Sequence, residues 1–458
     1  MATPVEGRRV VVLGLARQGT ALAHWLIGHG ARVTVSDVQP ADRLRGALKA
    51  LEGLAIRYEL GGHPSSLLVE CDLLCLSGGV PIDLPIVQEA RKRGIALSND
   101  AQLFLERCPA AVIGITGSAG KTTTTTLVGD MGRSAGRTTW IGGNIGNPLI
   151  SDLAAMTRSD LVVMELSSFQ LDLMTVSPPV AAVLNVTPNH LDRHGTMAAY
   201  VAAKARILDY QSPPDTAVLG YDDPVARSLI GRAKGRLTLF GRSGVGDWAD
   251  LAHTRVDEGW VVLLKDQRVP ICELSEIRLR GVHNVLNVLA ACALADAAGI
   301  SPQAMRHAIS AFAGVEHRLQ LVRERSGVQY YDDSIATAPE RVIAALHSFQ
   351  EPIVLLVGGR DKHLPWAEAA QLIVNRVRQL ILFGEMAELV QRSIAEVTWR
   401  DSLEAVHRVV TLAEAVRKAA EVARPGDVVL LSPGGTSFDA FKDFAERGDK
   451  FQEYVRAL

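Results

Sequence analysis

The sequence predicts an α/β protein of three domains, each built on a largely parallel sheet. Three observations predict it. Continuous β-branched and leucine-rich runs recur along the chain, as in Val10-Val11-Val12-Leu13, Leu161-Val162-Val163-Met164 and Ile353-Val354-Leu355-Leu356-Val357, the pattern of strands buried on both faces. The runs end in polar or glycine-rich loops and alternate with helical stretches, as βα units do. The 458 residues, at roughly 100–200 per domain, give two to four domains with three as the central value.

Composition excludes several classes. The 48 Lys+Arg against 50 Asp+Glu leave a net charge of −2, which excludes a basic protein coating nucleic acid and leaves a local phosphate pocket open. Aromatic residues are only 5%, too few for stacking platforms on single strands. No apolar run reaches the ~18 residues of a membrane span. The apolar stretch from Val10 to Ala16 is cut short by Arg17, so it reads as a first strand rather than a signal peptide. The five cysteines lack zinc spacing, and Cys71 and Cys75 in an apolar run read as core packing. A soluble, cytoplasmic, multidomain α/β protein is expected, with no nucleic-acid or membrane partner.

The first segment, residues 1–106, starts with the strand Val10 to Leu13, the turn Gly14-Leu15-Ala16-Arg17-Gln18-Gly19, a helix Thr20 to Gly28, and a strand Arg32 to Ser36 ending at Asp37. Strand, glycine turn, helix, strand and acid is the layout of a Rossmann-like dinucleotide unit. Ala16 replaces the middle glycine and crowds the backbone where a pyrophosphate would approach, so a nucleotide-free tight turn stands as the other reading. Further strands are expected around Leu73–Leu76 and Ile95–Leu97, with the loop Ser77-Gly78-Gly79-Val80-Pro81 at a strand's carboxyl end.

The second segment, residues 107–314, carries the strand Ala111 to Ile115 followed by Thr116-Gly117-Ser118-Ala119-Gly120-Lys121-Thr122 and a helix. This is a P-loop ATPase-type arrangement: glycines free the backbone N–H groups, Lys121 meets the β/γ-phosphates, and the Thr122 hydroxyl reaches Mg²⁺. Ile115 occupies the place of the pattern's first glycine, and a glycine-rich turn with an incidental lysine is the alternative. Glu165 at the end of the strand Leu161–Met164 is placed to hold Mg²⁺, directly or through water, with a solvated or salt-bridged acid as the alternative. The strand Val180 to Leu184 leads to Asn185-Val186-Thr187-Pro188-Asn189-His190-Leu191-Asp192-Arg193-His194, where a lone histidine is more often structural. Lys204, in the alanine-rich helix Ala198 to Leu208, reads locally as exposed. Asn284 and Asn287 lie three apart on the first turn of a long apolar helix; one reads as a cap, the other as suited to an adenine edge.

The third segment, residues 315–458, repeats the alternation in a Rossmann-like α/β domain. Strands are expected at Val328–Tyr331, Ile353–Val357, Gln379–Phe383 and Val428–Leu431. Their polar loops are Asp332-Asp333-Ser334, Gly358-Gly359-Arg360-Asp361-Lys362, Gly384-Glu385 and Ser432-Pro433-Gly434-Gly435-Thr436-Ser437.

Together these motifs resemble the Mur ligases of peptidoglycan synthesis along essentially the whole chain. The resemblance rests on Gly114 through Thr122, Gly143-Asn144-Ile145-Gly146, Glu165-Leu166-Ser167-Ser168-Phe169-Gln170-Leu171, the Asn185–His194 turn, Gly281 through Asn287, and Glu316-His317-Arg318. The stretch from Ser432 through Ser437-Phe438-Asp439-Ala440-Phe441-Lys442-Asp443-Phe444 to Asp449 is similar to the signature of the D-glutamate-adding branch. The resemblance implies that Thr116 to Thr122, with Asn287, Arg318 and Asp333, bind ATP. It further implies that Thr122, Glu165, His190 and Lys204 serve two Mg²⁺ ions, Lys204 as a carbamate, with Lys121, His190 and Lys204 the catalytic set. Gly14, Leu15, Ala16 and Asp37 would hold the uridine diphosphate of the substrate, with Ser77, Asn144, Ser167 and Gln170 as further contacts. Thr337, Lys362, Ser437, Phe438 and Phe444 would hold the incoming amino acid.

Two departures stand out. Asn189 replaces an acid before the histidine, and Ile335 replaces the lysine of an Asp-Ser-Lys-Ala-Thr pattern, which leaves an L-glutamate-adding variant as the alternative. The activity implied is ATP-dependent amide formation through an acyl phosphate, by a monomer, on UDP-N-acetylmuramoyl-L-alanine. Three rivals remain at this level. A folylpolyglutamate-type ligase lacks the front domain of residues 1–106, an NAD(P)-dependent oxidoreductase leaves the P-loop unexplained, and a nucleotide-switched scaffold leaves Glu165, His190 and Lys204 unused.

Overall fold

The computed structural model describes residues 3–242, 245–248, 250–362, 364–397 and 402–458. The chain divides into two compact units, Met1–Ile277 with Val282–Phe312, and Arg278–Gly281 with Ala313–Leu458. The architecture is the α/β class with largely parallel sheets that the apolar runs predict.

The first unit holds two sheets. One is parallel throughout and comprises β1 (Arg9–Leu13), β2 (Arg32–Asp37), β3 (Ile56–Leu60), β4 (Leu73–Leu76) and β5 (Ala96–Ser98), in the order β3-β2-β1-β4-β5. The order reverses between β1 and β4, and ligands of such sheets bind outside the carboxyl ends at the reversal. The Gly14–Gly19 turn and the Ser77 loop leave the sheet there. The helix Arg17–Gly28 begins three residues before Thr20, the start expected from sequence, with extended Ala16 as its cap. The sequence reading contains no β3, whose alternating Ile56-Arg57-Tyr58-Glu59-Leu60 is that of a half-exposed edge strand.

The second sheet comprises β6 (Ala111–Thr116), β7 (Thr139–Gly143), β8 (Leu161–Glu165), β9 (Val180–Val183), β10 (Thr216–Gly220), β11 (Arg236–Phe240), β12 (His253–Asp257), β13 (Trp260–Leu264) and β14 (Arg268–Glu273), in the order β14-β13-β12-β11-β10-β9-β6-β8-β7. It is parallel from β7 to β12 and closes with an antiparallel meander β12-β13-β14. The register pairs Ile115 with Glu165, so the carboxylate stands level with the strand end from which the P-loop springs. Sequence periodicity suggests neither β7 nor β10–β14. Apart from β13, whose Trp260-Val261-Val262-Leu263-Leu264 is a plain apolar run, these are short strands with threonine, glycine or charged residues, and the apolar helix Val282–Ala297 packs against β10, β11 and β12.

The second unit is built on β15 (Gln320–Arg325), β16 (Val328–Asp332), β17 (Ile353–Gly358), β18 (Val377–Phe383), β19 (Ala405–Arg408) and β20 (Val428–Gly434), in the order β15-β16-β20-β17-β18-β19. Only β15 runs antiparallel to its neighbour. Strand β20 continues to Gly434, so Ser432 to Gly434 are strand where the sequence suggests a loop. Buried aliphatic side chains fill both faces of this sheet. All five cysteines are unpaired, and Cys71 and Cys75 are buried in the core. Among the described residues no helix is long and apolar enough to cross a membrane.

Candidate active site

The P-loop leaves β6 at Thr116 and returns as the helix Lys121–Ser134, with Gly120 as its left-handed cap (φ 82°). A Cβ on Gly120 would stand 2.2 Å from Asn287 Oδ1, so Asn287 lies directly against the loop, and its amide nitrogen donates to Asn284 Oδ1 at 2.9 Å. Asn185, at the end of β9, braces the other side: its Oδ1 accepts from Ala119 N at 2.8 Å and its carbonyl from Ser118 N at 2.9 Å. Lys121 folds back over the loop, and Nζ donates to the carbonyls of Gly117 (3.0 Å) and Ser118 (3.3 Å).

Beside the loop, the Thr122 hydroxyl donates to Glu165 Oε2 at 2.8 Å and Asn144 Nδ2 donates to Oε1 at 3.0 Å. Glu165 is buried, so the solvated alternative is excluded. Lys204 also departs from its local reading as an exposed residue: it is 2% exposed. The helix Met197–Asp209 turns Tyr200, Ala203, Lys204, Ile207 and Leu208 inward, and Lys204 Nζ donates to Gly117 O at 2.9 Å. Burial, and then the neighbouring charge of Lys121, push the Lys204 amine down to about 7 against the pull of Glu165. Two amines therefore share the Gly117 carbonyl, and one of them is half neutral near pH 7.

His190 follows in an exposed turn, itself left-handed (φ 53°). Its ring meets Phe169 edge-on at 5.2 Å, and Phe169 lies parallel to His194 at 5.2 Å. His194 bonds to Ser168 Oγ at 2.9 Å. Tyr200 is buried, its hydroxyl 3.1 Å from Ser118 Oγ and its ring centroid 4.7 Å from Lys204 Nζ. The Asp192 side chain lies outside the described residues. Hard oxygen donors at Thr122 and Glu165 suit Mg²⁺; among the described residues no cluster of three His, Cys, Asp or Glu side chains converges.

On the first sheet, Asp37 accepts from Leu15 N (2.6 Å) and Gln39 N (2.8 Å) and so fixes the Gly14–Gly19 turn. A Cβ on Gly19 would stand 1.8 Å from Gly14 O, the close approach that glycine permits. Ala16, exposed as the helix cap, borders a cleft of about 540 Å³ with Leu15, Arg17 and Asn147. Ser77 is buried at the foot of its loop. Gln170 is 1% exposed; its Oε1 accepts from Ser167 N and Oγ, both at 3.1 Å, and its carbonyl from Asn99 Nδ2 at 2.8 Å. Neighbouring Asp100 is pushed up to about 6 by burial.

In the second unit, Asp333 accepts from Ser432 Oγ at 2.9 Å, and burial pushes it up to about 7 against that bond and the charge of Arg318. Lys362 Nζ donates to Thr337 Oγ1 at 3.0 Å, joining the loops after β17 and β16. Ser437 is buried and Phe438 is exposed. Phe444 opens the helix Phe444–Ala457 with its ring edge-on to His317 at 6.3 Å, and its carbonyl accepts from Ser334 Oγ at 2.7 Å. Arg447, fully buried, donates to Ser334 Oγ (3.0 Å), Ser334 O (2.8 Å) and Gly435 O (3.1 Å).

The sequence reading gave no role to Asn185, Phe169, Arg193, Tyr200 or Arg447. Tyr200 and Lys204 are four apart on one helix face, a spacing that was there to be read; the others are joined only by the fold.

Residues 8–99 match the family Mur ligase MurD-like, N-terminal domain; residues 115–295 match the Mur ligase middle domain; residues 317–435 match the Mur ligase, glutamate ligase domain. The chain is 44% identical over 451 residues to the UDP-N-acetylmuramoylalanine–D-glutamate ligase of Symbiobacterium thermophilum, covering 98% of each chain. It is 39% identical over 458 residues to the protein of the same name from Acetivibrio thermocellus, covering 99% of this chain and 97% of that one. Among solved structures, it resembles UDP-N-acetylmuramate–alanine ligase of Thermotoga maritima, with a TM-score of 0.57 and 20% identity over 98% of this chain and 99% of that one; that likeness concerns the fold alone.

Proposed function

This chain belongs to the Mur ligase family, and on that footing we propose that it is an ATP-dependent ligase joining D-glutamate to UDP-N-acetylmuramoyl-L-alanine, in cytoplasmic synthesis of peptidoglycan precursors. The observation that carries the reading is the convergence on one P-loop of Lys121, the Thr122–Glu165 pair and the buried amine of Lys204. A carboxylate is a poor electrophile, so the terminal L-alanine carboxylate attacks the γ-phosphate of ATP and becomes an acyl phosphate, releasing ADP. The neutral amine of glutamate then attacks the acyl carbon, and the tetrahedral intermediate expels phosphate.

Lys121 and the loop amides hold the phosphates as charge moves between them. Thr122 and Glu165 would hold one Mg²⁺, and His190 with Lys204 a second; bound there, Mg²⁺ supplies charge neutralisation for phosphoryl transfer. A half-neutral Lys204 amine can add to CO₂ and lose a proton, giving the carbamate that turns a cation into an oxygen ligand. Positioning supplies the rest. We assign the uridine diphosphate end to residues 1–106, through Gly14, Leu15, Ala16 and Asp37, with Ser77, Asn144, Ser167 and Gln170 set along the substrate. Residues 107–314 take ATP at the P-loop and Asn287; the family resemblance also assigns Arg318 and Asp333 to ATP. Residues 315–458 take the amino acid at Thr337, Lys362, Ser437, Phe438 and Phe444.

Ile335 favours a second reading, L-glutamate, because a cation is missing from the amino-acid loop. An ADP-release assay with UDP-N-acetylmuramoyl-L-alanine and each glutamate enantiomer tests both. Release should require all three substrates, with D-glutamate faster. Faster turnover with L-glutamate would overturn the stereochemical assignment, and ADP release indifferent to either co-substrate would overturn the ligase reading.

A further inference from the structure

Arg193 lies in the His190 turn and is exposed, yet its guanidinium is held. It stands 4.8 Å from the centroid of the Phe169 ring, and Nη2 donates to Gly79 O at 3.4 Å. Gly79 belongs to the loop after β4 in the first sheet, Phe169 follows β8, and Arg193 follows β9. One cation therefore stands where loops from both sheets of the first unit meet, bonded to the Gly79 carbonyl and set over the Phe169 ring. Its platform is itself fixed, because His190 meets the Phe169 ring edge-on and His194 lies parallel to it. The loop on the other side is tied down as well, since Gly78 N donates to Gln18 Oε1 at 3.1 Å.

An exposed arginine normally spreads over many rotamers, and ordering it costs conformational entropy. Here stacking has already met that cost, and the long bond to Gly79 engages one of five N–H donors. A planar, pre-oriented fork of this kind matches the paired oxygens of a phosphate or a carboxylate. The substrate of the ligase reading, on which this inference rests, carries two such groups: the diphosphate and the terminal carboxylate.

We propose that Arg193 binds an oxyanion of the UDP-linked substrate at the junction of the Ser77–Gly79 loop and the His190 turn. The test is calorimetric binding without ATP. The probes are UDP, UDP-N-acetylmuramoyl-L-alanine, and the latter with its alanine carboxylate converted to a carboxamide. Arg193→Gln should weaken the full ligand by roughly 10-fold or more, and Arg193→Lys should recover part of the loss, keeping the charge without the fork. Phe169→Leu, which keeps the cation but removes its platform, should weaken the same ligand at nearly unchanged melting temperature.

Loss of affinity shared equally by UDP assigns the diphosphate. Loss confined to the carboxylate-bearing ligand, with UDP and the carboxamide unaffected, assigns the carboxylate. Wild-type affinity for all three probes in Arg193→Gln overturns the proposal, as does lost affinity explained wholly by a lower melting temperature in all three variants. A wild-type protein that binds none of the UDP compounds overturns the ligase reading itself, and this inference with it.

Discussion

Replacing Lys204 with methionine should stabilise the protein while destroying turnover, and the stabilisation should depend on pH. The side chain is 2% exposed, donates to Gly117 O at 2.9 Å, and is lowered from 10.5 to about 7 by burial and by Lys121. That drop corresponds to about 5 kcal/mol of discrimination against the ammonium, at 1.36 kcal/mol per pH unit. Methionine fills similar space but loses the Gly117 bond and the Tyr200 contact, which offsets about 1–2 kcal/mol. Roughly 3 kcal/mol in favour of methionine remains.

The sign follows from proton binding. Below about pH 7 the amine is charged in both states and the full penalty applies. Between about 7 and 10.5 the unfolded chain holds the proton that the folded chain has released, so the penalty shrinks as pH rises. With about 2–4 °C per kcal/mol for domains of 150–250 residues, the variant should melt roughly 6–12 °C higher near pH 6. The gap should be close to zero near pH 10. Thermal melting in CO₂-free buffer across this range, with ADP release measured in parallel, checks both halves. A variant less stable than the parent near pH 6, or a gap that does not change with pH, would refute the reasoning.

Asp100→Asn should show the opposite pH dependence. Burial raises that carboxyl from 3.8 to about 6, so its cost is full above about pH 6 and fades as pH falls toward 3.8; melting should show about 1–3 kcal/mol of stabilisation near pH 7–8 that disappears on acidification. Gly120→Ala puts an L-residue in the left-handed region and a methyl group 2.2 Å from Asn287 Oδ1. The conformation alone costs about 1–2 kcal/mol, so ATP affinity should fall at least roughly 10-fold while binding of the UDP-linked ligand is retained; calorimetry with each ligand reads both. Ile335→Lys returns a cation to a half-buried loop position beside Thr337, and one charge-assisted bond of about 1.5–3 kcal/mol should lower the glutamate KM by at least about 10-fold for the preferred enantiomer. Steady-state kinetics at saturating ATP measures it.

What the sequence could disclose, and what it could not, follows from the range of the contacts. The P-loop, Asp37 at the end of β2 and the polar loops of the second unit were legible because strand, turn and helix follow one another within a few residues. Strands β10–β12 and β14 were not, because their short, mixed segments become strands through pairing and through the helix laid nearby; β13, the apolar run Trp260–Leu264, was open to a sequence reading. The contacts that assemble the site are long-range: Lys204 and Gly117 are 87 residues apart, Tyr200 and Ser118 82, and Asn99 and Gln170 71.

Lys204 still left a local trace. Tyr200, Ala203, Lys204, Ile207 and Leu208 follow the i, i+3, i+4, i+7, i+8 stripe of a helix face, and all five are buried. A lysine on the apolar stripe of a helix has two fates. It snorkels to water, or it is kept inside, where burial removes its charge. The alanines around Lys204 blur the stripe in sequence, which is why Lys204 reads locally as exposed; the tyrosine one turn earlier marks the buried face. Lys204 took the second fate because its amine meets the Gly117 carbonyl of the P-loop, and a group held near neutrality beside a phosphate cradle is chemically more versatile than the surface cation it resembled.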